Sequence, residues 1–86
     1  MEEQIRQQLA GVIGQPAENL TLISKERVEW NDSALGCPQP GMMYLQVITP
    51  GYKLIFSDGT RTYDIHTGRE GRPAVWCDHG RSRRLG

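Results

Sequence analysis

Four side chains in this sequence carry chemistry by type: Cys37, Cys77, His66 and His79. A cysteine nucleophile needs a thiolate and a base within hydrogen-bond reach, and either histidine supplies the base. Cys37 has no helix N-terminus behind it, the feature that commonly depresses a thiol pKa. With the histidines, the cysteines also form a set of zinc-ligand types, but their spacing matches no standard zinc pattern. The two cysteines occupy positions 37 and 77, 40 apart, and neither belongs to a C-x-x-C motif, which argues against a redox-active pair. A disulfide closing that loop stabilises by about 4 kcal/mol in the chain-entropy model, a large share of what a domain this small can muster. Two buried free thiols remain the alternative, and a reducing cytosol would keep them so. The expectation is a Cys37–Cys77 disulfide with Cα atoms within about 7 Å, on a final strand at a sheet edge.

Cys37 sits within WNDSALGCPQPGMMY, residues 30–44, which also hold one of the two tryptophans, two prolines and two glycines. Asn31, Asp32 and Ser33 suit an Asx turn. Gly36 permits a positive φ, and Pro38 and Pro40 stiffen the chain beyond it. Trp30 is placed to anchor the base. The plain reading is a rigid loop closing one end of the fold. The functional reading is a recognition loop over 31–43 displaying Asn31, Asp32, Leu35, Gln39, Met42 and Met43, since a stiff loop loses little entropy on binding.

The elements that position these residues follow from periodicity. Ile5, Leu9, Val12 and Ile13 share one helical face, with Glu2 and Glu3 in the first turn and Gly14 and Pro16 beyond the end. From Leu20 to Trp30 the chain alternates, with Leu20, Leu22, Val28 and Trp30 on one parity; Ser24 and Glu26 on that same parity predict a bulge or bend. Three strands then follow, MMYLQVIT, YKLIFS and TRTYDIHT, joined by a type II turn at Pro50-Gly51 and a type I′ turn at Asp58-Gly59. On the third, Tyr63 and Ile65 face the core, and His66 faces solvent with Thr62 and Asp64. A glycine-rich turn leads to a last strand, AVWC, and a frayed polar tail. The fold class is α+β: one N-terminal helix on a four- or five-stranded antiparallel sheet, a single domain over 1–80 with a flexible basic tail at 81–86. The expected core is Ile5, Leu9, Leu22, Trp30, Leu45, Val47, Leu54, Phe56, Tyr63 and Val75.

The pattern W-x-D-x-x-L-G-C-P, then Y-x-Q-V-x-x-P-G-Y, then Y-x-x-H-T and a late Cys resembles a family of small bacterial proteins of unassigned function. The likeness spans roughly residues 20–77. Asp-Ile-His-Thr-Gly at 64–68 departs from it, where the family has an aromatic before the His and an acid after the Thr. The resemblance implies export or lipoprotein signals, hence an extracytoplasmic setting, and offers no activity to carry over. Residues 13–16, I-G-Q-P, with a later P-G, are also similar to a bacterial class of small peptidase inhibitors.

Composition narrows the functions. The chain has 86 residues, with ten basic and ten acidic side chains, so there is no general electrostatic case for nucleic acid or an anionic membrane. Arg81, Arg83 and Arg84 come without aromatic stacking partners. No apolar run is long enough to span a bilayer. MEEQIRQQLA has no apolar h-region, so it reads as a cytosolic start or the front of a trimmed form. The resulting expectation is a monomeric, non-enzymatic binding module, inhibitor-like in action if the I-G-Q-P likeness holds, with no catalytic residues, metal or cofactor. Its partner is another protein or an envelope component, and its localisation is left open. The rival reading is a small Cys/His enzyme using Cys37.

Overall fold

The computed structural model describes residues 1–85. Helix α1 spans Glu2–Ile13 and ends at Gly14, whose left-handed φ of 72° lets its N–H reach the carbonyl of Ala10. Five strands follow as an antiparallel meander in sequence order: β1 (Thr21–Trp30), β2 (Thr49–Ser57), β3 (Thr62–Thr67), β4 (Ala74–Asp78) and β5 (Arg81–Arg84). The α+β architecture expected from periodicity is the one observed.

One face of the sheet carries the main core. Ile5 and Leu9 of α1 meet Leu54, Phe56, Tyr63, Ile65 and Trp76, with Leu22 and Tyr52 packed at the margin. Tyr63 and Trp76 pack edge to face, their ring centres 5.4 Å apart. Tyr63 is buried to its hydroxyl, which donates to Asp58 Oδ2 at 2.7 Å.

The expected bulge is present, and it changes the faces. Leu22 pairs with Phe56 but Ser24 pairs with Ile55, so Ile23 is the extra residue. Leu22 therefore points toward the helix, while Ser24, Glu26, Val28 and Trp30 point to the opposite face. Leu22 and Trp30, which share a parity in the sequence, end on different sides.

Five expectations about the strands are corrected. Residues 42–48 of MMYLQVIT form no strand; they belong to the connection from β1 to β2, Thr49 opens β2, and Leu45 and Val47, expected in the core, are exposed. Pro50 and Gly51 are not a turn but strand residues of β2, opposite Glu29 and Val28. Asp58-Gly59 is not a type I′ turn, because Asp58 is not left-handed and Ser57 pairs with Thr62 across a four-residue loop. The two-residue turn with both φ positive lies instead at His79-Gly80, joining β4 to β5. Arg81–Arg84, expected as part of a flexible tail, pair with β4 as β5. That places β4, and Cys77 with it, inside the sheet rather than at its edge. Gly86, the last residue of the expected tail, lies outside the described residues. Among the described residues no helix is long and apolar enough to cross a membrane.

Candidate recognition site

The second face of the sheet is covered by the loop after β1, and the cover begins with Trp30. Its indole Nε1–H donates to the Thr67 carbonyl at 2.8 Å, and its ring stacks on His66 at 4.6 Å with 20° between planes. A side chain at Gly51 would overlap the Thr67 oxygen and come within 2.8 Å of Trp30 Nε1, so only glycine leaves the indole room there.

The loop then turns tightly. Asp32 Oδ1 accepts the Ala34 N–H at 2.9 Å, the Asx turn expected of this segment. Leu35 and Gly36 are both left-handed, with φ of 58° and 72°. A Cβ on Gly36 would lie 2.7 Å from the Trp30 ring, so the glycine is required by packing as well as by φ. Ala34, Leu35 and Cys37 are thereby buried against the second face. Leu35, expected on display, is instead part of this small inner layer.

His66 was expected to face solvent; it does point away from α1, but the loop lies over it and leaves it 6% exposed. Its Nδ1 is 2.7 Å from the Leu35 carbonyl, which can only accept, so Nδ1 carries the proton. Nε2 lies 3.2 Å from Asp64 Oδ2 without hydrogen-bond alignment. Beside it, Cys37 is bonded to Cys77, with Cα atoms 5.9 Å apart, inside the expected separation. The bond removes the thiolate a cysteine nucleophile needs. His79 stands exposed at the tip of the β4–β5 turn, held to Asp78 at 2.8 Å.

Beyond Cys37 the chain leaves the sheet but stays tethered. Gln39 donates through Nε2 to the Ser82 carbonyl at 2.9 Å, and its own N–H goes to the Tyr44 hydroxyl. Ser33 and Leu45 exchange two hydrogen bonds, Ser33 N–H to Leu45 O and Leu45 N–H to Ser33 Oγ, at 3.0 and 2.9 Å. Between and beyond these ties, Met42, Met43, Leu45, Val47 and Ile48 are exposed, from 52% for Val47 to 95% for Met43. Five large apolar side chains within seven residues are costly to leave in water, which makes the strip the candidate contact surface.

Of the candidate residues, Asn31, Gln39, Met42 and Met43 are exposed and Asp32 is half-buried in its turn. Leu45, Val47 and Ile48 complete the surface and were missed. Pattern could not have found them: in MMYLQVI both parities are apolar, which reads as a strand buried on both faces rather than as an exposed surface.

Residues 2–77 match the family described as "Domain of unknown function (DUF8738)", and the chain belongs to that family. No curated protein and no solved structure matches the chain.

Proposed function

We propose that this protein acts by binding, without chemistry of its own, through the apolar strip from Met42 to Ile48, which begins in the expected recognition loop at 31–43 and runs past its end. The observation that carries this reading is the contrast within one loop. Ala34, Leu35 and Cys37 are buried and bolted by the disulfide, while Met42, Met43, Leu45, Val47 and Ile48 expose apolar side chains to solvent. A braced loop of this kind pays little ordering entropy when a partner covers it. The partner is a protein, and if that protein is a peptidase, the action is inhibitory. Disulfides persist in oxidising compartments, so the setting is extracytoplasmic.

The rival, an enzyme built on Cys37, needs a free thiol. Thiol titration of the native protein separates the two, since the binding module gives two unreactive cysteines and the enzyme one highly reactive Cys37. The binding surface itself is tested by placing a photo-crosslinking residue at position 43, or at position 60 in the β2–β3 loop, and exposing the protein to extracts of the producing cells. A discrete adduct from position 43 alone, abolished by Leu45→Asp, supports the reading. Equal adducts from both positions, or none, overturn it.

A further inference from the structure

The apolar strip is not flanked symmetrically. At its start, Gln39 and Pro40 line one concavity with Arg81 and Arg83 of β5. Both arginines share a face with Trp76 and Asp78 of β4. Arg83 lies over the Trp76 ring at 4.7 Å and 3.6 Å from Asp78, whose carboxylate also holds His79. Among the described residues Arg81 makes no ion pair, and it is exposed. At its other end the strip runs into Pro50, where Arg27 and Arg69 line a concavity with Glu70. Glu29 follows two residues after Arg27 on the same face of β1, so the charges there balance. Surplus positive charge sits at the β5 end alone.

We infer that the strip docks in one direction, into an apolar cleft of a protein whose carboxylates lie at the β5 end, opposite Arg81 and Arg83. This rests on the binding reading above and adds the chemistry of the partner. Met43 stands almost wholly clear of the surface, so its complement is concave. The apolar side chains supply affinity, and the one-sided charge sets orientation and speeds encounter. A bilayer would instead favour cations on every side of an inserted strip, whereas here the far end is balanced and Asp32 lies within the same loop.

The test uses the full disulfide-bonded chain with the photo-crosslinker at position 43. Arg81→Glu with Arg83→Gln lowers the adduct yield roughly tenfold at low salt, and the gap closes as ionic strength rises. Arg27→Glu with Arg69→Glu leaves the yield within about twofold. Arg81→Lys with Arg83→Lys restores most of it. Because Arg83 covers Trp76, Arg81→Glu alone is measured beside the pair, with melting curves for both. Equal loss from changes at both ends, or no loss at either, overturns the inference. So does cosedimentation with phosphatidylglycerol vesicles that needs Met43 and Arg81, which makes the surface a membrane contact. Self-association lost in Met43→Asp overturns it in favour of a second copy. No adduct at position 43 removes the binding reading and this inference together; an adduct indifferent to Arg81 removes this inference alone.

Discussion

Gly51 decides how Trp30 crosses the sheet. Any side chain there collides with the Thr67 carbonyl, which is fixed because Tyr52 pairs with Thr67 in the β2–β3 ladder. Gly51→Ala is expected to cost about 3 kcal/mol or more, read as a fall in the urea midpoint. Gly11 is the opposite case: it lies inside α1, is exposed, and has nothing near its missing Cβ. Gly11→Ala should stabilise by about 0.5–1 kcal/mol. Asp58 carries the clearest pH signature. Its carboxylate accepts the N–H groups of Arg61 and Thr60, the Gln15 amide and the Tyr63 hydroxyl. These donors, the Arg61 N–H foremost, hold its pKa well below the ordinary 3.8. A depressed pKa means stability that is present above the unfolded value and lost as pH falls through the folded one. Asp58→Asn should therefore melt below the wild type at neutral pH, and the difference should shrink as pH drops under about 4. A difference constant from pH 7 to pH 2 would show that the charge is not what matters.

The bulge in β1 is the element on which both faces depend. Because Leu22 and Ser24 already face consecutive residues of β2, Ile23 is surplus to the ladder and its side chain is exposed. Deleting Ile23 should leave the pairing intact and change stability by no more than about 1 kcal/mol. Deleting Glu26, which pairs with Lys53, removes a residue from the regular ladder and should reverse the facing of everything on one side of it. Trp30 would then leave His66, and cooperative unfolding should weaken sharply or vanish. Circular dichroism melts of the two deletions decide the matter. If both deletions are equally harmful, the bulge is not the pivot.

As a whole, the molecule is a five-stranded sheet between two unequal covers. The helix buries the larger face, and the residues Ala34, Leu35 and Cys37, with Trp30 and His66, bury part of the other. The loop holds its place through the Trp30 and His66 hydrogen bonds, the Ser33–Leu45 pair and the disulfide. Cys77→Ser should cost about 2–4 kcal/mol, because the cross-link closes a loop of 40 residues in the unfolded chain. Iodide should quench Trp30 more readily in that variant, while the far-UV spectrum of helix and sheet is retained. Loss of the far-UV signal at room temperature would instead make the disulfide a requirement of the main fold.

Local pattern was enough for α1, whose apolar positions Ile5 and Leu9 recur at the helical period and whose Gly14 ends it. It was enough for the β1 bulge, since Ser24 and Glu26 break the alternation where the chain gains its extra residue, and for the proximity of Cys37 and Cys77. These features depend on neighbours in sequence or on a two-residue chemistry with few outcomes. The fate of MMYLQVI does not. Apolar, β-prone residues become a strand only where the chain brings them alongside a partner, and β1 pairs with Thr49–Ser57 instead, leaving 42–48 as the connection between the two. The fate of His66 does not either. Alternation placed it opposite Tyr63 and Ile65, correctly, but whether that face meets water depends on a loop some thirty residues earlier folding back over it. Alternation tells which side of a strand a residue occupies, and only the tertiary structure decides what covers that side.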